Sequence, residues 1–210
     1  MGGYVITSWK LKHQSILLVS LVALGFVASS LINKAVMEKT AVNGTVYTDI
    51  VLGKDLVADI LPPPEYLLES WQVALEMLVT PAAELMPLIE KSKRLEEEFT
   101  SRHKFWEQAL TDMALRKKML DESYKPGLAF LKIRNEVFIP ALHAGDKAAA
   151  EHALGGMKTA YLQHRKAIDD VVVLANQMSF KLEKDVEATI SRSDMISVAI
   201  VLGFLFFVAC

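Results

Sequence analysis

Two stretches of the chain carry no charged side chain: residues 15–32, SILLVSLVALGFVASSLI, and residues 195–210, MISVAIVLGFLFFVAC. At 1.5 Å per residue the first covers about 27 Å, close to the roughly 30 Å hydrocarbon core of a bilayer. It predicts a transmembrane helix over 15–33, closed at the interface by Asn33 and Lys34. A cleaved signal peptide is the rival reading, since Lys10 and Lys12 precede the run and Ala28, Ser29 and Ser30 follow it. The run exceeds the roughly 7–15 apolar residues of a signal peptide and passes without a turn into a helical pattern, so a retained helix is expected. The second stretch has 16 residues, short of the roughly 17–25 that a span needs. It predicts the start of a second transmembrane helix, 195–210, in a longer polypeptide.

Between these ends the periodicity is helical nearly throughout, with no alternating runs bounded by turn residues. Ile168, Val172, Ala175, Ser179, Leu182, Val186 and Thr189 step by alternating fours and threes, a heptad seam suited to a helix pair or a dimer contact. Breaks are few. Pro62-Pro63-Pro64 cannot lie inside an α-helix, because proline removes a donor and pushes the preceding residue out of the helical region. Thr80-Pro81 with Pro87 marks a second break, and Gln108 to Asp112 a turn with Thr111 or Asp112 as N-cap. Ala144-Gly145-Asp146 marks another, glycine ending one helix and aspartate capping the next.

Helix lengths then choose the topology. A single helix from Asp146 to Asp194 is about 72 Å long, whereas Asn33 to Leu61 climbs only about 42 Å. A hairpin at the prolines would send the following helix some 20 Å below the membrane surface. A kink at the prolines, with the chain continuing upward through residue 80, reaches about 67 Å and matches the last helix. The predicted fold is therefore all-α: an up-down four-helix bundle, residues 34–194, whose long first and last helices continue into two transmembrane helices and whose first helix is interrupted at Pro62–Pro64.

Charge and composition sharpen this picture. Of 210 residues 52% are apolar and 23% charged, and the two kinds are segregated. All 25 acidic residues and 21 of the 23 basic ones lie between Lys34 and Asp194, so that segment has a net charge of −4 and is no nucleic-acid binder by electrostatics. The single cysteine, Cys210, excludes an internal disulfide framework or a cysteine metal cluster. Lys10 and Lys12 favour a cytoplasmic tip over 1–14, although Lys34 and Lys39 weigh against it across the membrane. The orientation adopted puts the N-terminus inside and the middle segment outside.

The helix ruler also brings distant residues to one height. The prolines fall at about 43 Å, His164 and Arg165 at about 44 Å with Tyr161 a turn above, Arg102, His103 and Trp106 at about 32–37 Å, and Tyr124 near 49 Å. Tyr66 and Glu69 follow the prolines directly. This layer, Tyr66, Glu69, Arg102, His103, Trp106, Tyr124, Tyr161, His164 and Arg165, is a candidate ligand pocket. Arginine offers a fork for a carboxylate, tyrosine and histidine add donors, and tryptophan supplies an apolar wall. The alternative is structural: Arg102 and Arg165 pair with Glu65 or Glu69 in a buried polar network. His103 and His164 with Glu69 could hold a metal or haem, but no tight ligand spacing favours it, and neither metal nor cofactor is expected. Glu96, Glu97 and Glu98 read as a solvated face, His143 and His152 as solvated near the top turn, and Gly155-Gly156 as a point of close packing or a kink. No nucleophile–base set, P-loop or dinucleotide loop is present, so no enzyme is expected.

Several motifs resemble those of a known family: Asp59-Ile-Leu-Pro-Pro-Pro-Glu-Tyr66 with Glu69, Arg102-His-Lys-Phe-Trp106, Tyr124-Lys-Pro126, Pro140-Ala-Leu-His-Ala-Gly-Asp146 and Tyr161-Leu-Gln-His-Arg165-Lys-Ala-Ile-Asp169. With two membrane segments around a helical region, they resemble the N-terminal sensor half of bacterial methyl-accepting chemotaxis receptors and related sensor kinases, over about residues 15–200. The resemblance implies a periplasmic four-helix-bundle sensor in the inner membrane, a homodimer, and a cytoplasmic signalling module beyond residue 210. The expected function is reception of a small ligand, an organic anion by the chemistry of the layer, with signalling through the last helix. The sensor region of a histidine kinase or diguanylate cyclase, and a membrane-tethered interaction scaffold, are the alternatives.

Overall fold

The computed structural model describes residues 3–42, 44–60 and 67–209. The triple proline, Glu65 and Tyr66 lie outside the described residues. Every regular element among the described residues is helical, so the fold is all-α: α1 (Gly3–Thr40), α2 (Thr45–Ile60), α3 (Leu68–Val79), α4 (Met86–Ala109), α5 (Met113–Arg116), α6 (Tyr124–Ile133), α7 (Ile139–His143) and α8 (Lys147–Ala209). The chain forms two compact units, one of residues 1–50 with 180–210 and one of Val51–Ser179.

The breaks follow from local chemistry. Thr80 leaves the helix in an extended conformation before Pro81, and Pro87 enters the first turn of α4, where its missing donor costs nothing. Asp112 caps α5 by accepting from the backbone N–H groups of Ala114 and Leu115, both at 2.9 Å. Gly145 takes a φ of +72°, and the Asp146 carboxylate accepts from the Ala149 N–H at 3.0 Å at the start of α8. One break differs from expectation: the first long helix stops at Thr40 and restarts at Thr45. A Cβ on Gly44 would sit 2.5 Å from the Lys39 carbonyl oxygen, so only glycine closes this turn.

Residues 113–143 stay helical, as expected, but not uniformly α. Wider π turns occupy Lys117–Ser123 and Arg134–Phe138, ahead of Pro126 and Pro140 respectively. A proline ring clashes with the carbonyl four residues back and offers it no N–H. One extra residue per turn moves that carbonyl aside and lets the helix pass through the proline.

In the Val51–Ser179 unit, α8 presents a continuous buried stripe: Ala150, Ala153, Met157, Ala160, His164, Ile168, Val171, Ala175 and Ser179. Two apolar clusters form along it. One joins Val73 and Met77 of α3, Ile89 and Phe99 of α4, Phe130 of α6 and Phe138 with Ala150, Met157 and Tyr161 of α8. The other joins Leu56 and Ile60 of α2, Trp106 of α4, Leu115 of α5 and Met119 with Ile168, Val171 and Ala175 of α8. Helices α2 and α3 thus pack against successive stretches of the same helix. Leu67, just before α3, is held at φ 49°, a left-handed conformation that a leucine seldom takes, with its side chain buried in the first cluster. Gly155, read as a site of close packing or a kink, has open space around it, and α8 runs through it unbroken.

The other unit is built the opposite way round. Its large apolar side chains point outward, Leu17, Leu24, Phe26 and Leu31 from α1 and Met195, Val198, Leu202 and Phe206 from α8. Its polar groups face inward: Ser29 Oγ lies 3.1 Å from Ser197 Oγ, and Ser193 donates to Asn33 Oδ1 at 2.9 Å. Both helices are long and apolar enough to cross a membrane.

Candidate functional site

The site is best built outward from Phe99. This side chain lies on the buried stripe of α4, Ile89-Ser92-Leu95-Phe99-Trp106. Its ring stacks on Tyr124 with centroids 5.3 Å apart, and meets the edge of His164 at 5.7 Å. Tyr124 in turn stacks on His103 at 3.4 Å. The row His103–Tyr124–Phe99–His164 therefore joins α4, the start of α6 and α8. Gly127 makes room for it, since a Cβ there would lie 2.6 Å from Phe99 Cζ and 3.3 Å from His164 Nδ1.

His164 is fully buried, and its Nδ1 lies 2.7 Å from the carbonyl oxygen of Ser123. A carbonyl can only accept, so Nδ1 carries the proton. That carbonyl closes the first π turn, immediately before the Tyr124-Lys125-Pro126 sequence. The widened turn thus supplies the acceptor that orients the ring. At the other end of the row, burial lowers the pKa of His103 below its ordinary value, while the Glu107 and Asp121 carboxylates pull it back up.

A second constellation lies one turn further along α4. A single oxygen of Asp59, at the end of α2, accepts from three donors: Arg102 Nε at 2.7 Å, Arg102 Nη2 at 2.6 Å and the Trp106 indole N–H at 2.7 Å. The Arg102 guanidinium also lies 4.4 Å from the centre of the Phe105 ring. Trp106 is buried, whereas Asp59 and Arg102 keep about a quarter and a third of their surfaces in solvent at 24% and 32%. They flank an open cavity of about 360 Å³ that Leu52, Asp55, Ala58 and Phe105 also line.

The remaining residues of the expected layer are placed as follows. Tyr161 stacks on Trp71 of α3 at 5.5 Å, almost parallel. Glu69 pairs with Lys91 at 2.8 Å near the surface. Arg165 is half exposed, with Asp169 one turn on at 3.9 Å. Tyr66 lies outside the described residues. The structure therefore brings His103, Tyr124 and His164 together through Phe99, and Arg102 and Trp106 together through Asp59. The partner of Arg102 is Asp59, not Glu69 as the structural alternative had it. Among the described residues no group of three His, Cys, Asp or Glu side chains is arranged to hold a metal ion.

One polar cluster was not foreseen. Arg134, in the second π turn, is completely buried. It donates to the Ser92 carbonyl at 3.0 Å and to Asn135 Oδ1 at 3.0 Å, and pairs closely with Glu96, which also accepts from Asn135 Nδ2 at 3.0 Å. Burial lowers the guanidinium's pKa, and Glu96 opposes that shift. Glu96 thus departs from the solvated face to which it was assigned, whereas Glu97 and Glu98 remain exposed. The available signal was an arginine inside the apolar stripe Phe130–Arg134–Phe138.

Comparison with protein-family models, with curated proteins and with solved structures finds no match to this chain.

Proposed function

We propose that this chain is the input region of a bacterial transmembrane sensory receptor of the chemotaxis-receptor type. In this reading residues 15–33 and 195–210 belong to two spans of the inner membrane, with residues 34–194 between them as a periplasmic helical sensor. The sensor is an up-down four-helix bundle with limbs α2 plus α3, α4, α5 to α7, and α8. The packing of α2 and α3 on successive stretches of α8 supports a kink at the prolines rather than a hairpin. The outward apolar and inward polar side chains of α1 and the end of α8 suit lipid, where the only polar partners are within the protein.

The observation that carries the functional reading is the continuity of α8. His164 and Tyr161 in the polar–aromatic core and the apolar stretch from Met195 lie on one uninterrupted helix. A small organic anion that binds better to one packing of the bundle would bias that helix and so carry the signal across the membrane. The reading includes a homodimer and a cytoplasmic chemotaxis module as partners. The sensor of a histidine kinase or diguanylate cyclase would use the same input. The test is calorimetric titration of the chain in lipid nanodiscs with a panel of small organic acids, followed by Arg102→Ala. Saturable binding that the substitution weakens at least tenfold is expected. No saturable heat across the panel counts against a receptor for organic anions.

A further inference from the structure

We propose that Arg102 and Trp106 form a carboxylate seat that Asp59 occupies from within, and that a ligand carboxylate enters by displacing Asp59. The proposal rests on the reading of this region as a receptor for a small organic anion. The seat itself is on the page. Three N–H groups from two residues one turn apart on α4 converge on one point, and a carboxylate oxygen sits there at 2.6–2.7 Å from each. One donor, the Trp106 indole, is buried and cannot turn to water, so the point needs an acceptor in any state of the protein.

Asp59 fills the seat with one oxygen only. Arginine binds a carboxylate most strongly through two parallel N–H···O bonds, each to its own oxygen. Tethered to α2, Asp59 instead places a single oxygen on Nε and Nη2, and its second oxygen has no hydrogen-bond partner among the described residues. A free carboxylate is not bound by that tether and can take the forked geometry. Access is open, because the seat faces the cavity of about 360 Å³ lined by Leu52, Asp55 and Phe105, with room for the body of a small acid. Asp59 is the link from α2 to Arg102 and Trp106 of α4, so occupation of the seat by a ligand and release of that link are one event.

The test is chemical rescue of the full chain in nanodiscs, with sodium formate and sodium acetate as probes and sodium chloride at equal concentration as control. Asp59→Ala empties the seat and lowers the melting temperature. Formate or acetate then raises it again, with a larger rise and a tighter apparent affinity than in the wild-type chain, where Asp59 competes. The double variant Asp59→Ala/Arg102→Ala shows no such rise. Asp59→Asn keeps the shape and one acceptor, so it serves if the alanine variant does not fold; formate stabilises it more than the wild type. A folded Asp59→Ala or Asp59→Asn chain that responds to formate no more than to chloride overturns the proposal, as does equal rescue of the double variant. Rescue depends on the seat alone, whereas the acid screen on the wild-type chain tests the receptor reading, so each can fail without the other.

Discussion

Placing a methyl group on Gly127 and on Gly155 separates helix propensity from packing. Both glycines are interior to helices, so alanine at either gains about 1 kcal/mol of propensity. Their surroundings differ. At Gly155 nothing lies within 4 Å of an added Cβ. At Gly127 the Cβ meets Phe99 Cζ at 2.6 Å, about 1 Å inside a normal carbon–carbon contact. Phe99 cannot swing away freely, being 1% exposed and fixed between the Tyr124 face and the His164 edge. Overpacking of this kind costs about 1–3 kcal/mol. Gly155→Ala should therefore stabilise the protein by up to about 1 kcal/mol, and Gly127→Ala should be neutral to destabilising by about 2 kcal/mol. Because the propensity gain is common to both, the difference between the variants reports the packing cost alone. Thermal unfolding in detergent, followed by far-UV circular dichroism, reads it as a gap of roughly 3–10 °C between the two melting temperatures. Equal stabilisation by both substitutions would refute the packing of Phe99 and His164 around Gly127.

Arg134 and Glu96 should respond asymmetrically. Removing Glu96 strands a fully buried guanidinium, whereas removing Arg134 leaves a carboxylate that keeps 34% of its surface in solvent. Glu96→Ala should thus cost about 3–5 kcal/mol and Arg134→Met less, with the double variant Arg134→Met/Glu96→Leu more stable than Glu96→Ala alone; strict additivity of the two single losses would contradict the pair. The lowered pKa of His103 means that the folded protein resists protonating it while the unfolded chain accepts a proton near pH 6.5. Its contribution is complete above that pH and is lost as pH falls below it. His103→Phe, which keeps the stack on Tyr124, should flatten the fall in melting temperature between pH 7.5 and 5.5; identical pH slopes in the two proteins would show that His103 does not titrate as described.

Much of the helical framework could be read from the chain because its signals are local. Apolar runs, Pro81, the Asp112 cap and Gly145-Asp146 act within a turn of where they stand, and the stripe from Ile168 to Ser179 needs only a period. The turn at Ala41–Gly44 was legible in principle, since Asn43-Gly44 is a strong turn dipeptide, but it sits in a helical pattern that runs past it on both sides. The π turns were not visible because Pro126 and Pro140 each permit a broken helix or a widened one, and packing decides between them. The candidate site divides in the same way. Heights along helices brought His103, Tyr124 and His164 to adjacent levels, yet height carries no information about rotation or partner. Phe99, which joins them, looked like one more apolar residue of a stripe, and Asp59, which joins Arg102 to Trp106, looked like one acid among 25.

The most direct test of the membrane-anchored reading compares side chains that are equally exposed on the protein but assigned to different solvents. Leu162, Val173 and Phe180 are 53%, 54% and 62% exposed, and Leu24, Val198 and Leu202 are 67%, 56% and 60% exposed. In a Cys210→Ser background, single cysteines at these positions in liposomes would be reacted with a membrane-impermeant maleimide. The account predicts rapid labelling at 162, 173 and 180, from one side of the membrane only, and little at 24, 198 and 202 until detergent is added. Comparable labelling of both sets in intact liposomes would contradict it.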